Sequence, residues 1–360
     1  MILEKLGNYT EGPFDSDRVL TIGPFHLSAE SQDLYMVWRC MACLLVVLWG
    51  FGSAPDASAQ EQPARPLAPG VLTVIEPDIQ HEETFSGPLE LVEIVQGLPT
   101  MDWQPNYDAK SRTAFERAKL VTLRRQIWNL EFAFKPMRTL EVDVPQAASG
   151  KMQKKLIWYM VYRVRYLGND LVPDPIQDKY GHTTFGAKPV AQEARYFFPQ
   201  FLLESHDPSK TYQDRIIPAA YNLIEEREGR GKTLLNSVDI GVHPIPLSTP
   251  ENPQEVWGVA TWEDIDPRMD YFSVFVKGLT NAYKPIDPPG AFKAGDAPGT
   301  GRELLAKALR LNFWRPGDAI KEQEDAIYFG VPFAADPERQ AQILRAFGLK
   351  ERVDYSWVYR

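Results

Sequence analysis

Four acidic residues lie close together in the segment 262–270 (WEDIDPRMD), between two predicted strands. They are Glu263, Asp264, Asp266 and Asp270. Ca²⁺ takes several carboxylate oxygens as ligands, although this segment lacks the glycine and the closing glutamate of an EF-hand. The competing interpretation is an acidic, solvated turn with Arg268 as a local partner. The turn is the favoured interpretation, and these four residues are at the same time the best candidate in the sequence for a ligand-binding loop, with calcium as the candidate ion and no obligatory cofactor.

His206 is the other candidate ligand-binding residue, because it follows a strongly apolar strand pattern in the sequence ESHD. A Ser-His-Asp triad needs groups that converge from different segments, and the chain has no G-x-S-x-G elbow. Adjacent Ser, His and Asp are more typical of a strand end followed by an Asp-Pro turn. The other histidines beyond residue 60, which are His81, His182 and His243, lack the spacing of zinc ligands. No catalytic residue is predicted.

Two segments contain parts of a phosphate-binding loop, at 229–233 (GRGKT) and 299–303 (GTGRE). The first has Glu226 where the motif requires its first glycine, and the second has Arg302 where the motif requires lysine. Neither segment follows a predicted strand, as the motif demands. Both are therefore interpreted as turns.

The most specific pattern in the chain is a secretory leader at residues 36–60. Arg39 supplies a positive charge, residues 41–51 are apolar and uncharged, and Ala57-Ser58-Ala59 offers small residues to a signal peptidase. The apolar run is about half of the roughly 20 residues that span a bilayer. We predict cleavage before Gln60 and an extracytoplasmic protein, periplasmic or secreted. The alternative is a protein anchored by residues 41–51, which is the only membrane association predicted.

The acidic stretch that precedes the leader predicts a start at Met36, with residues 1–35 a spurious or disordered extension, because a signal peptide prefers a positive N-terminal region. Both cysteines, Cys40 and Cys43, fall inside the leader. The predicted mature chain therefore has no disulfide, thiol nucleophile or cysteine-bound zinc.

The composition excludes several classes of protein. The chain has 360 residues, is 44% hydrophobic and carries a formal net charge of −9. Such a chain can bury a core, so it is not a disordered polypeptide. A nucleic-acid-binding protein would need a basic face, so nucleic acid is excluded as a partner. The predicted partners are a protein of the cell envelope or a cell-wall glycan.

Short segments of alternating apolar and polar residues predict strands, and the clearest is 155–167 (KLIWYMVYRVRYL). Other predicted strands are 89–95, 126–134, 138–144, 195–204, 237–242, 256–262, 272–277, 309–314, 326–330 and 355–360. Helices are predicted at 109–125, 216–228 and 337–347. Many short strands between Pro, Gly and Asp turns predict a mainly β fold, an antiparallel β-sandwich-like core with a few short helices.

The same patterns predict how the chain is divided. The predicted parts are the extension 1–35, the signal peptide 36–59, a linker and N-terminal segment 60–108, the sandwich-like core 109–335 and a C-terminal helix and tail 336–360.

Three segments carry a resemblance to a known group of proteins. They are 195–207 (RYFFPQFLLESHD), 256–266 (VWGVATWEDID) and 272–283 (FSVFVKGLTNAY). Together with the leader, they resemble uncharacterised exported proteins of planctomycete-type bacteria. The resemblance implies an extracytoplasmic setting and assigns no catalytic residue.

The first functional hypothesis is a non-enzymatic binding or interaction protein of the envelope or periplasm, because no catalytic motif is complete and loops on a sandwich commonly bind partners. A metal-dependent or other hydrolase with a distributed site near His206 and the 263–270 loop is the alternative. A carbohydrate-binding module is the second alternative. A cleft shared by His206 and Asp264 or Asp266 would favour the hydrolase, whereas exposed Trp257, Trp262 and Trp314 would favour sugar binding.

Overall fold

The computed structural model describes residues 71–96, 113, 116–146, 150–181, 183–206, 209–229, 231–316 and 326–360. All of them belong to one compact unit, Pro63–Arg360. The predicted leader and both cysteines lie outside the described residues. Among the described residues, no helix is both long enough and apolar enough to cross a bilayer.

One antiparallel sheet is built around the long strand β6, Met152–Arg165. Its other strands are β1 (Thr73–Ile75), β4 (Glu131–Phe134), β5 (Arg138–Pro145) and β13 (Val256–Trp262). Strand β5 pairs with the first half of β6 and β4 with its last residues, while β13 pairs with it from Trp158 to Val164. The prediction of a strand at 155–167 is confirmed.

A second, seven-stranded antiparallel sheet is organised around β16, Glu303–Trp314. Its other strands are β10 (Gln200–Ser205), β11 (Lys210–Gln213), β14 (Tyr271–Lys277), β15 (Tyr283–Ile286), β17 (Tyr328–Phe329) and β18 (Tyr355–Tyr359). The last strand of the chain pairs with β16 from Lys307 to Leu311.

The two sheets face each other across one aromatic core. The ring centroids of Phe132 and Phe201 lie 6.3 Å apart, and those of Trp158 and Phe272 lie 5.3 Å apart. In both pairs one ring comes from each sheet. Burying a large apolar side chain contributes about 1.5–3 kcal/mol, so this interface is the main stabilising feature of the fold. The predicted fold, a mainly β protein with an antiparallel sandwich-like core, is confirmed.

A short helix covers the outer face of the first sheet. This helix, α2 (Pro218–Ile224), continues as a π-helix, Glu225–Gly229. Its residues Ala220 and Ile224 are buried against Ile157 and Val161 of β6. The predicted helix at 216–228 is therefore confirmed, and the central residues of β6, 157–162, are buried on both faces.

The remaining described elements are small. They are β2 (Phe85–Leu89), β3 (Val121–Arg124), β7 (Asp170–Gln177), β8 (Thr183–Val190), β9 (Ala194–Tyr196), β12 (Pro244–Pro246), the 3-10 helices His81–Thr84 and Asp239–Val242, and the helices α1 (Val92–Val95) and α3 (Pro337–Phe347). The strands pair as β2 with β3, β7 with β8 and β9 with β12. The predicted helix at 337–347 is confirmed.

Some sequence-based assignments are wrong. The predicted strand 237–242 is a 3-10 helix, because the Asn236 side chain accepts hydrogen bonds from the backbone N–H groups of Val238 and Asp239. The predicted strand 89–95 is also wrong. Its first residue is the last residue of β2, and its last four residues form the helix α1, Val92–Val95.

Two further assignments are wrong in part. The predicted helix 109–125 ends as β3, whose β-branched residues Val121 and Thr122 favour a strand; residues 113 and 116–118 are helical and the rest of its first part lies outside the described residues. The predicted strand 195–204 is divided at Pro199, which has no N–H to donate.

Candidate functional site

An open cleft of about 990 Å³ lies between α3 and the start of β14. Basic side chains from three places in the chain line it, and we call it the basic cleft. They are His206 after β10, Arg268 in the loop before β14, and Arg339 and Arg345 on α3. Asp270, Tyr271 and Gln342 also line its wall.

Helix α3 is fixed at both ends by its own sequence. The Asp336 side chain accepts a hydrogen bond from the backbone N–H of Arg339 at 2.9 Å, and Pro337 occupies the first turn. The helix ends at Gly348, whose φ of 66° is a left-handed conformation that glycine adopts without strain. This end lies beside His206, since a Cβ added to Gly348 would be 3.4 Å from its Nδ1.

The amphipathic pattern of α3 decides which side chains face the cleft. Ile343 and Phe347 are buried, and the Phe347 ring lies 5.4 Å from that of Tyr271. Arg339, Gln342 and Arg345 are exposed on the side that borders the cleft. The anchored helix therefore presents two guanidinium groups from a rigid element.

The arginines of the basic cleft differ in their partners. Arg268 binds Asp266 through two contacts, Nε–Oδ1 at 3.0 Å and Nη2–Oδ2 at 2.8 Å. These hydrogen bonds hold the pKa of Asp266 well below its usual range. Within the described residues, no carboxylate lies within ion-pair distance of the Arg339 or Arg345 guanidinium. Both groups are thus positioned to receive an anion from outside the protein.

Charged groups of the cleft influence the pKa of the Tyr271 hydroxyl. Burial raises the pKa of Tyr271, Asp270 raises it further, and Arg339 opposes the rise. Since three arginines and one aspartate line the cleft, its lining is positive on a chain whose net charge is −9.

A smaller hollow of about 250 Å³ adjoins the basic cleft and shares His206 with it. Hydroxyl groups of Ser209, Thr211 and Ser273 line this hollow together with Arg310. Arg310 Nε is held 3.1 Å from Ser273 Oγ, and burial lowers the pKa of its guanidinium. The hollow thus extends the basic cleft with a further guanidinium group and three hydroxyl-bearing side chains.

The structure brings only part of the predicted site together. His206 and Asp270 both line the basic cleft. Glu263 and Asp264 instead pair with Lys155, at 2.9 and 2.8 Å from its Nζ. Asp264 adopts a φ of 57°, so the backbone turns sharply between these two residues and Asp266.

Asp266 pairs with Arg268 at the edge of the cleft. Among the described residues, no three His, Cys, Asp or Glu side chains are arranged to hold a metal ion. The calcium interpretation of the 263–270 loop stays a prediction.

Trp257, Trp262 and Trp314, the three described tryptophans considered for sugar binding, do not form an exposed strip. Trp262 is fully buried in the sandwich core. Trp257 packs against the cluster under α2, and Trp314 stacks on Tyr328 with ring centroids 4.7 Å apart. The three residues therefore lie in different environments.

The two glycine-containing segments contribute structural ion pairs. Lys232 Nζ lies 3.1 Å from Glu255 Oε1. Arg302 pairs with Asp287 at 2.8 Å and with Glu93 at 3.1 Å. Each cationic group is thus already engaged with carboxylates, which agrees with the interpretation of both segments as turns.

Sequence reasoning did not identify Arg339 and Arg345. The pattern that could have identified them is the three-residue spacing of Arg339, Gln342 and Arg345 on a helix whose bounds were predictable. What the pattern could not supply is the position of that helix beside His206, because the two are separated by more than a third of the chain.

Comparison with known proteins gives no relative from which a function could be transferred. No protein-family model matches the chain, and no curated protein or solved structure matches it. The function must therefore be argued from the geometry of the site.

Proposed function

We propose that this protein is an exported binding protein without catalytic activity of its own, and that the basic cleft receives an anionic group of its ligand or partner. The observation that carries the proposal is the pair of guanidinium groups of Arg339 and Arg345, which an anchored helix holds beside His206 without a carboxylate partner in the described residues. Arginine binds carboxylate and phosphate groups through two parallel hydrogen bonds, which gives both affinity and orientation.

The arrangement favours binding over hydrolysis. A nucleophilic serine needs an adjacent base, but the Ser205 hydroxyl donates to the backbone oxygen of Tyr271 at 2.9 Å. The carboxylates of Glu263 and Asp264 face Lys155 and do not line the cleft with His206. The hydrolase alternative would need both groups to move toward His206.

Removal of both unpaired arginines should abolish most of the binding. The test measures, by calorimetry at low salt, the affinity for three anionic probes: a hexaglutamate peptide, an oligogalacturonate and inorganic phosphate. We expect at least one probe to bind, and the double variant Arg339→Ala/Arg345→Ala to bind it at least about tenfold more weakly, because hydrogen bonds to charged groups contribute about 1.5–3 kcal/mol each. The probe that binds most tightly identifies the source of the anionic group.

The matched control is Lys179→Ala/Lys188→Ala, which removes the same charge from the β7–β8 hairpin, where both lysines are exposed. This control variant should keep the affinity of the original protein. Equal weakening in both double variants would show a general charge effect and contradict the proposal. A failure of all three probes to bind at low salt would also contradict it.

Export carries a separate prediction. Protein recovered from the periplasm or medium of its host should begin at Gln60, because Ala57 and Ala59 supply the small residues that a signal peptidase requires. N-terminal sequencing checks this result. The variant Ala59→Leu should retain the leader, while Ala68→Leu, which changes an alanine downstream of the cleavage site, should be processed normally. An N-terminus upstream of residue 36 in the recovered protein would contradict the prediction.

A further inference from the structure

A second pocket, about 260 Å³ in volume, lies between the 3-10 helix His81–Thr84 and the strands β15, β16 and β18. Four aromatic side chains line it, and we call it the aromatic pocket. They are Phe85, Tyr283, Trp357 and Tyr359. None of the residues that line it also lines the basic cleft.

The charged groups of the aromatic pocket neutralise one another. Lys307 Nζ pairs with Glu83 and lies 3.0 Å from an Asp78 carboxylate oxygen. The Tyr359 hydroxyl donates to Glu83 at 2.6 Å. Three acidic and three basic side chains line the pocket, and they are Asp78, Glu82, Glu83, Arg125, Lys284 and Lys307. The pocket therefore suits an uncharged ligand, in contrast to the basic cleft.

Two hydrogen-bond donors at this pocket have no acceptor. Trp357 Nε1 and Arg125 Nε are buried and, within the described part of the chain, have no hydrogen-bond partner. The rest of the Arg125 guanidinium is held in place, since Nη1 lies 3.2 Å from Ser86 Oγ and the group stacks 3.9 Å from the Tyr283 ring centroid. Buried donors in native proteins are nearly always satisfied, so an oxygen acceptor is expected beside each of these two N–H groups.

We propose that the aromatic pocket binds a single neutral sugar residue. A sugar ring offers an apolar C–H face to aromatic side chains and hydroxyl oxygens to N–H donors, and the residues that line this pocket carry both kinds of group. Pockets for drug-sized ligands have volumes of about 300–1,000 Å³, so a smaller pocket selects one ring and not an oligosaccharide. The site is independent of the anion site proposed above.

The indole N–H signal of Trp357 tests this proposal directly. Each tryptophan gives one indole resonance in protein labelled with ¹⁵N-tryptophan, and the variant Trp357→Phe assigns the resonance by its loss. Glucose, galactose, mannose and N-acetylglucosamine are titrated into the whole protein. We expect one of them to shift the Trp357 resonance saturably, while the resonances of the core residues Trp158 and Trp262 stay in place.

Affinity measurements provide the controls. Trp357→Phe should weaken sugar binding at least about tenfold, and Trp314→Phe, on the same sheet but outside the pocket, should leave it unchanged. If Trp357→Phe does not fold, Tyr283→Leu removes another wall of the pocket and should weaken binding similarly.

The proposal is overturned if none of the four sugars shifts the Trp357 resonance, or if Trp314→Phe weakens binding as strongly. The result is separable from the anion site, because Arg339→Ala/Arg345→Ala should leave sugar binding intact and Trp357→Phe should leave anion binding intact.

Discussion

Replacing Glu228 by alanine is expected to lower the free energy of unfolding by about 3–5 kcal/mol. The carboxylate is buried in the π-helix that follows α2, and Arg138 Nη1 lies 2.9 Å from its Oε1. Lys135 Nζ lies 3.4 Å from the other oxygen, Oε2, and the Tyr159 hydroxyl donates to Oε1 at 3.2 Å. The substitution would leave Lys135 and Arg138 beside the first sheet without their shared counter-charge, in surroundings that water cannot enter freely. It would also remove the 3.8 Å ion pair with the more exposed Arg227.

The size of the effect depends on which partner is removed. Lys135→Met should be milder than Glu228→Ala, because the carboxylate keeps Arg138 and Tyr159 and the methionine replaces the apolar stem of the lysine. In the double variant the combined cost should be smaller than the sum of the two single costs, because Lys135→Met removes one of the cations that Glu228→Ala leaves without a counter-charge.

Urea unfolding measures all three variants. The exposed neighbour Glu226→Ala is the control and should change stability by less than about 0.5 kcal/mol. A loss in Glu228→Ala no larger than that in Glu226→Ala would show that the ion cluster does not stabilise the fold.

This cluster illustrates what the sequence can and cannot predict. The strand β6 and the helix at 216–228 follow from local patterns of apolar residues, and both were predictable. Glu228, however, belongs to an acidic stretch that reads as a solvated helix end. Its burial depends on Lys135, which is 93 residues away in the sequence, so no local pattern indicates it.

The β7–β8 hairpin was missed for a related reason. Pro173 and Pro175 lie within β7, and proline in a segment argues against a strand because it cannot donate to the ladder. The hairpin tolerates them because, among the described residues, β7 forms a ladder only with β8; its other edge makes a single bridge, between Leu171 and Ile127, and no ladder beside the prolines. Whether a strand has one neighbour or two is a property of the sheet and not of the segment.

The candidate site was also predictable only in part. His206 was singled out because it follows an apolar strand, and Asp270 because it belongs to an acidic group; both line the basic cleft. The acidic residues of the 263–270 loop were expected to act together, yet the turn at Asp264 directs them to different partners. The direction of the backbone in this loop therefore determines which partner each carboxylate binds, and the residue types alone do not indicate it.

Replacing Lys307 by methionine is the second large expected effect, with a loss of about 3–5 kcal/mol in the free energy of unfolding. The lysine is 2% exposed although it lies in β16, and its ammonium group pairs with Glu83, whose side chain is 6% exposed. After the substitution, Glu83 keeps hydrogen bonds from Tyr359 and from the backbone N–H of Gln80, but no cation balances its charge. The double variant Lys307→Met/Glu83→Gln should recover part of the loss.

The position of this ion pair gives the prediction a second, local readout. Lys307 belongs to the seven-stranded sheet, whereas Asp78 and Glu83 belong to the segment that follows β1. The ion pairs therefore connect this segment to the central strand β16 of the sheet. Hydrogen exchange of the amides at 78–86 should accelerate in Lys307→Met. It should stay unchanged in Lys210→Met, which removes an exposed lysine from strand β11 of the same sheet, away from this ion pair.

The two readouts separate the possible causes. A loss of stability with unchanged exchange at 78–86 would mean that the pairing of β1 with β4 holds this segment and that the ion pair stabilises β16 alone. Faster exchange without a global loss would mean that the segment opens as an independent unit. Only the two effects together would establish that the buried Lys307 holds the segment 78–86 in place.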